Sequence, residues 1–230
     1  MQRRVLWYNS PASEYSCALP LGTGRLAAMV LGSINPERVA LNHEWLWRGE
    51  NRKRSPEDRA GRLDEVRRLL LDGDYAAGTA AGNDAFAGGG GTSNRPSRVE
   101  PYQPAGDLCF SLRHGRPRDY RRELDLENGL VTVTYTADGV DYRREYLAHL
   151  QHDLLLVRLS AGQPLSGKFR LSRAVDSRCE LACEATNDAL IMGGELDGGP
   201  AFEVAAKFAL RGGRSRAIED GIAVEGAESV

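Results

Sequence analysis

The sequence predicts a mainly β fold, a β-sandwich or supersandwich with a short helical insertion near residues 56–82. Three observations carry this. From residue 105 onward, short apolar runs recur between turn signals, the spacing of an antiparallel sandwich. Residues 130–135 alternate apolar side chains with threonines, and Asp138-Gly139 supplies a hairpin turn before Val140. Helical periodicity is confined to one stretch early in the chain.

Taken in order, residues 4–8 read as an opening strand. Gly22-Thr23-Gly24 makes a sharp turn into residues 25–32, an apolar run suited to a strand covered on both faces. Gly22-x-Gly24 lacks the third glycine and the following helix of a dinucleotide fingerprint, so no such cofactor is expected. Asn35-Pro36-Glu37 turns the chain into a strand at 39–41.

Ser55 and Pro56 suit a helix N-cap and first position, with Asp58 completing the box. Leu63, Val66, Leu69 and Leu70 then form one apolar stripe, Gly73 ends the helix, and Asp74 caps a second one over 75–81. Residues 88–97, rich in glycine, read as a flexible loop after the 56–86 insertion rather than as a linker between domains, because strands resume at once. Further strands are expected at 108–112, 153–159, 168–171, 189–192, 202–210 and 222–224.

Tyr120-Arg121-Arg122-Glu123 and Tyr142-Arg143-Arg144-Glu145 resemble each other. On strands they read as a charged, edge-protecting face with cross-strand Arg-Glu pairs, or as an arginine surface facing carbohydrate. The C-terminal residues begin a strand, turn at Gly226 and stop, which predicts a truncated domain whose last strand lacks a partner.

A net charge of −2 gives no case for a nucleic-acid or membrane-surface partner. The N-terminus lacks an apolar signal region, so a cytoplasmic location is expected. Cys17, Cys109, Cys179 and Cys183 are scattered and read as buried free thiols. His149 and His152, on opposite sides of a strand, would not share a metal, and neither metal nor cofactor is expected.

The best candidate site is Asn42-His43-Glu44-Trp45-Leu46-Trp47. Sugars are recognised by flat aromatic surfaces together with amide and carboxylate groups that bond ring hydroxyls. Asn42, His43, Glu44 and Trp47 are therefore the substrate-binding candidates. The structural alternative is that Trp45 or Trp47 belongs to the core while Asn42 and Glu44 cap backbone.

Several motifs resemble one family in order along the chain: Tyr8-Asn9-Ser10-Pro11-Ala12, Leu19-Pro20-Leu21-Gly22-Thr23-Gly24-Arg25-Leu26, Leu41-Asn42-His43-Glu44-Trp45-Leu46-Trp47, Tyr102-Gln103-Pro104-Ala105-Gly106-Asp107-Leu108 and both Tyr-Arg-Arg-Glu segments. They are similar to the N-terminal domain of glycoside hydrolase family 95, the α-L-fucosidases. The resemblance implies a β-supersandwich that precedes a helical linker and a catalytic (α/α) barrel. In that scheme the barrel carries the acid and base of an inverting hydrolysis. The barrel is absent from these 230 residues, so no catalytic residue is assigned and the fragment alone is expected to be inactive.

The implied partners are a fucosylated or related oligosaccharide and the missing barrel. Where the family commonly has Asn-Glu-Asp-Thr-Leu-Trp, this chain has Asn42-His43-Glu44-Trp45-Leu46-Trp47, which leaves room for a related L-sugar. The alternatives are a stand-alone carbohydrate-binding β-sandwich module, and the N-terminal domain of an enzyme such as a disaccharide phosphorylase.

Overall fold

The computed structural model describes residues 4–48, 58–86 and 101–230. The expected helix start at Ser55-Pro56 and the loop at 88–97 lie outside these residues. Two compact units are present, Met1–Arg48 with Tyr102–Val230, and Gly49–Pro101.

The larger unit is all β apart from one 3₁₀ turn, Tyr15–Cys17. Its strands are β1 (Val5–Tyr8), β2 (Leu19–Gly22), β3 (Leu26–Val30), β4 (Glu37–His43), β5 (Gly106–Leu112), β6 (Pro117–Asp125), β7 (Leu130–Ala137), β8 (Val140–His149), β9 (Leu154–Ser172), β10 (Cys179–Ala185), β11 (Ala189–Leu196), β12 (Ala201–Lys207), β13 (Arg214–Ile218) and β14 (Gly221–Ser229).

One antiparallel sheet runs β1-β6-β7-β8-β9-β5-β4-β3-β2, with β14 added to β9 and β13 to β14. A second sheet is β10-β11-β12. The long β9 bends the first sheet into two layers. Its first half pairs with β8 and its second half with β5. The layers close over one core, in which Val30 and Val39 meet Val131, Val133 and Tyr146, while Leu190 and Met192 come from the second sheet. The mainly β sandwich is thus the observed fold.

The hairpin at Asp138-Gly139 forms as expected, both residues having positive φ (52° and 77°), the twist-matched turn for two such strands. The expected strands at 153–159 and 168–171 are one continuous strand, because the polar stretch between them pairs with β14. β2, β10 and β13 carry no alternation strong enough to announce them. β2 is four residues with a proline in it, and β10 is exposed along nearly its whole length. Thr132, expected to face water, is buried at 5% exposure. Of the four cysteines only Cys109 is buried, and Cys17 and Cys183 are exposed.

The last strand is not left open. β14 lies between β13 and β9, and Val230 exchanges two backbone hydrogen bonds with Leu159 at 2.9 and 3.1 Å. Pairing with the middle of β9, distant in sequence, is what the sequence could not display.

The two Tyr-Arg-Arg-Glu segments occupy equivalent places on β6 and β8, flanking β7. Arg122 and Arg144 both stand opposite Val133, while Arg121 and Arg143 stand opposite Thr134. Arg121 and Arg143 form the charged outer face, pairing within their own strands to Glu123 and Glu145, both at 2.9 Å. Cross-strand pairing is therefore corrected to pairing along each strand.

The second arginines are core residues. Arg122 donates to the carbonyls of Ser10 (2.9 Å) and Cys17 (2.8 Å), and Arg144 to those of Ser33 (2.6 Å) and Ile34 (2.8 Å). A buried guanidinium with several donors satisfies loop carbonyls that no strand reaches.

The smaller unit contains a 3₁₀ turn, Ala60–Arg62, and helices α1 (Leu63–Leu71) and α2 (Tyr75–Phe86). Asp58 and Arg59 are not helical. The Asp58 carboxylate accepts from the Ala60 amide at 3.0 Å, so it starts the turn instead of sitting inside a helix. Asp74 accepts from the Ala77 amide at 3.0 Å, the expected cap of α2, and that helix runs to Phe86 instead of stopping near 81.

Candidate functional site

β4 ends at His43, and the chain then turns before bridging to Tyr102 through Trp47. The turn is held by backbone: the Leu46 amide donates to the His43 carbonyl (3.0 Å), and the Gln103 amide to the Leu46 carbonyl (2.8 Å). Leu46, buried at 5% exposure, anchors the loop in the core. Because Leu46 points inward, its neighbours face outward. Trp45 is 69% and Trp47 47% exposed, so neither tryptophan is core.

The polar groups of Trp47 and Tyr102 are tied to backbone, and both rings remain partly exposed, while the Arg25 guanidinium lies over the Trp45 ring at 5.7 Å. The Trp47 indole N–H donates to the Glu44 carbonyl (2.9 Å), and the Tyr102 hydroxyl to the His43 carbonyl (2.7 Å). The Trp47 and Tyr102 rings meet edge to face, with centroids 5.1 Å apart. Asn42 donates to the Tyr15 hydroxyl (3.3 Å) and Glu44 lies 3.7 Å from Arg25. Burial is the main reason the Tyr102 hydroxyl is pushed above its ordinary pKa. Replacing Tyr102 with phenylalanine is expected to cost about 0.5–1.5 kcal/mol, one net hydrogen bond, measured by urea unfolding.

His43 packs edge-on against Trp45, with ring centroids 5.7 Å apart, and also reaches toward Asp153. Its ring Nδ1 accepts from the Trp45 amide (3.3 Å), and its Nε2 lies 4.0 Å from Asp153. Asp153 also accepts from the Thr23 hydroxyl, and that bond is the main reason its carboxyl is held below its ordinary pKa, with His43 and Arg25 helping.

Three of the four candidates, Asn42, Glu44 and Trp47, thus come together with Tyr15, Arg25, Trp45 and Tyr102, while His43 buttresses the loop. Tyr102, Tyr15 and Arg25 are the residues the sequence reading missed. They lie apart from 42–47 in the chain, and only Arg25 and Tyr102, each within a motif of the family resemblance, gave any signal. His149 and His152, expected on opposite sides of a strand, stack at 4.8 Å because a turn intervenes at the end of β8. Among the described residues no group of three His, Cys, Asp or Glu side chains could hold a metal, and no helix is long and apolar enough to cross a membrane.

The larger unit is thus an antiparallel β domain that exposes aromatic and polar side chains at the 42–47 loop. Residues 6–230 match the family model described as glycosyl hydrolase family 65, N-terminal domain, and the chain belongs to that family. It is 32% identical to alpha-L-fucosidase 2 of Arabidopsis thaliana over 73% of this chain and 19% of that protein. It is 29% identical to the probable alpha-fucosidase A of Aspergillus niger over 70% of this chain and 20% of that protein. The chain therefore spans roughly a fifth of the length of these curated relatives. Both carry the α-fucosidase name that the motif resemblance implies.

Proposed function

We propose that this chain is the non-catalytic N-terminal domain of a longer α-L-fucosidase-like glycoside hydrolase, and that the 42–47 loop with Tyr102 meets the sugar. One observation carries the second part: two exposed aromatic faces stand beside Asn42 and Glu44, with their own N–H and O–H groups already tied to backbone. Such faces take the C–H side of a pyranose, while the amide and carboxylate take its hydroxyls. Hydrolysis itself belongs to an acid and a base in the barrel of the full-length enzyme, acting from opposite faces of the sugar with inversion.

The chain is expected to turn over a chromogenic α-L-fucoside at background rate; turnover well above it overturns the non-catalytic assignment. Calorimetric titration with fucose and with fucosylated oligosaccharide is expected to show weak saturable binding. Trp47→Ala should reduce that affinity by at least about fivefold, the low end of what a buried aromatic contact contributes to recognition. Unchanged affinity in Trp47→Ala removes the loop from the site.

A second reading is a stand-alone sugar-binding module. The two readings differ in one measurable way. A stand-alone module binds as tightly by itself as in any longer protein, whereas a rim domain gains affinity when the remaining domains are present.

A further inference from the structure

Behind the Trp47–Tyr102 pair lies an ionic cluster formed by three loops. Arg48 follows Trp47 directly and is 8% exposed. Its Nη2 donates to the Asp176 carboxylate and, at 3.5 Å, to the Arg178 carbonyl. Arg173, its side chain 2% exposed, approaches the same Asp176 oxygen at 3.7 Å. Arg173 also donates to the Gln103 side-chain oxygen and the Pro104 carbonyl, both at 3.0 Å. The Arg178 amide closes the arrangement by donating to the second Asp176 oxygen at 3.0 Å.

Asp176 therefore stands between the segment carrying Trp47 and the arginine that holds the segment next to Tyr102. Two buried guanidinium groups share this one carboxylate, and among the described residues the Arg48 Nε has no hydrogen-bond partner. Buried cations are costly unless paired, so the cluster depends on Asp176 more than on any other member. The Arg178 amide is the main influence that holds its carboxyl below the ordinary range, followed by Arg48; Asp176 is thus charged at neutral pH.

We infer that Asp176 is the positioning residue of the aromatic rim: by drawing Arg48 and Arg173 to one point, it fixes Trp47 against Tyr102. It touches no sugar itself. The part of this inference that concerns binding rests on the sugar-facing reading of the rim, and the part that concerns geometry does not.

The test uses Asp176→Asn, which keeps the shape and removes the charge, and the double variant Asp176→Asn with Arg48→Met, which also removes the cation left unpaired. Trp47 is observed alone by placing these changes in a Trp7→Phe, Trp45→Phe chain. In Asp176→Asn, iodide quenching of Trp47 is expected to rise at least twofold and its emission to shift to the red, with far-ultraviolet circular dichroism unchanged. The double variant should regain thermal stability but keep the altered Trp47 signal, because the tether is still missing.

Trp47 quenching equal to that of the parent chain in a folded Asp176→Asn overturns the inference. So does a double variant that restores the parent signal, since Asp176 would then be only a counter-charge. In the chain with all three tryptophans, fucose affinity should fall about fivefold in Asp176→Asn. If the parent chain binds no saccharide, the sugar-facing reading fails, and the quenching result still decides the role of Asp176.

Discussion

Arg144→Met is expected to destabilise the larger unit by about 3–5 kcal/mol, the cost of leaving one partner of a buried ion pair alone. Arg144 and Glu37 are both fully buried, 3.1 Å apart. Glu37 Oε2 also accepts from the Tyr146 hydroxyl (2.9 Å), and its Oε1 from the amides of Ser33 (3.1 Å) and Arg38 (2.9 Å). Methionine fills much of the space but donates to none of these acceptors, and the carbonyls of Ser33 and Ile34 lose their partner as well.

The loss should depend on pH. Burial pushes the Glu37 carboxyl above its ordinary value, and Arg144 is the largest opposing influence. Without Arg144 that carboxyl rises further. A group whose folded pKa is raised gives stability that is present in acid and lost as pH rises through the folded value. The variant should therefore lose less, relative to the parent chain, at pH 5 than at pH 8. Urea unfolding at the two values checks this, and an equal loss at both would show that Glu37 stays ionised in the variant.

Gly106→Ala is expected to cost about 2–4 kcal/mol, combining backbone strain with overpacking. Gly106 opens β5 with φ at +143°, a region closed to other residues. A Cβ there would press on the Met192 methyl and stand 2.8 Å from the Ser172 carbonyl oxygen. Met192 is completely buried, so its flexible end must repack within the core, and the Ser172 contact is to backbone at the end of β9, which cannot give way. Met192→Ala in the same chain should relieve only the first contact, so the double variant remains less stable than Met192→Ala alone. Equal stability of those two chains would mean that the backbone position tolerates a side chain.

What the sequence showed and what it hid divide along one physical line. Local signals were sufficient where neighbours in the chain make the structure. The Asp138-Gly139 hairpin, the Asp74 cap and the apolar stripe of α1 all depend on residues within a few positions of each other. The mainly β class and the family motifs were legible for the same reason.

Long-range pairing was not legible. β9 joins two expected strands into one because β14, from the far end of the chain, pairs across the polar middle. Arg122 and Arg144 look like surface charges in sequence, yet loop carbonyls more than 100 residues away take them into the core. The candidate site follows the same rule. Its loop was visible as a cluster of aromatic and polar residues, and the inward anchor Leu46 decided that both tryptophans face water.

By itself, then, the sequence determined which residue types sit together in the 42–47 loop. The tertiary structure alone decided that Tyr102 and Tyr15 complete the surface, that His43 turns toward Asp153, and that Asp176 stands behind it. Hydrogen bonds and ring contacts between segments 27 to 130 residues apart leave no periodic trace in a sequence, because nothing local requires them.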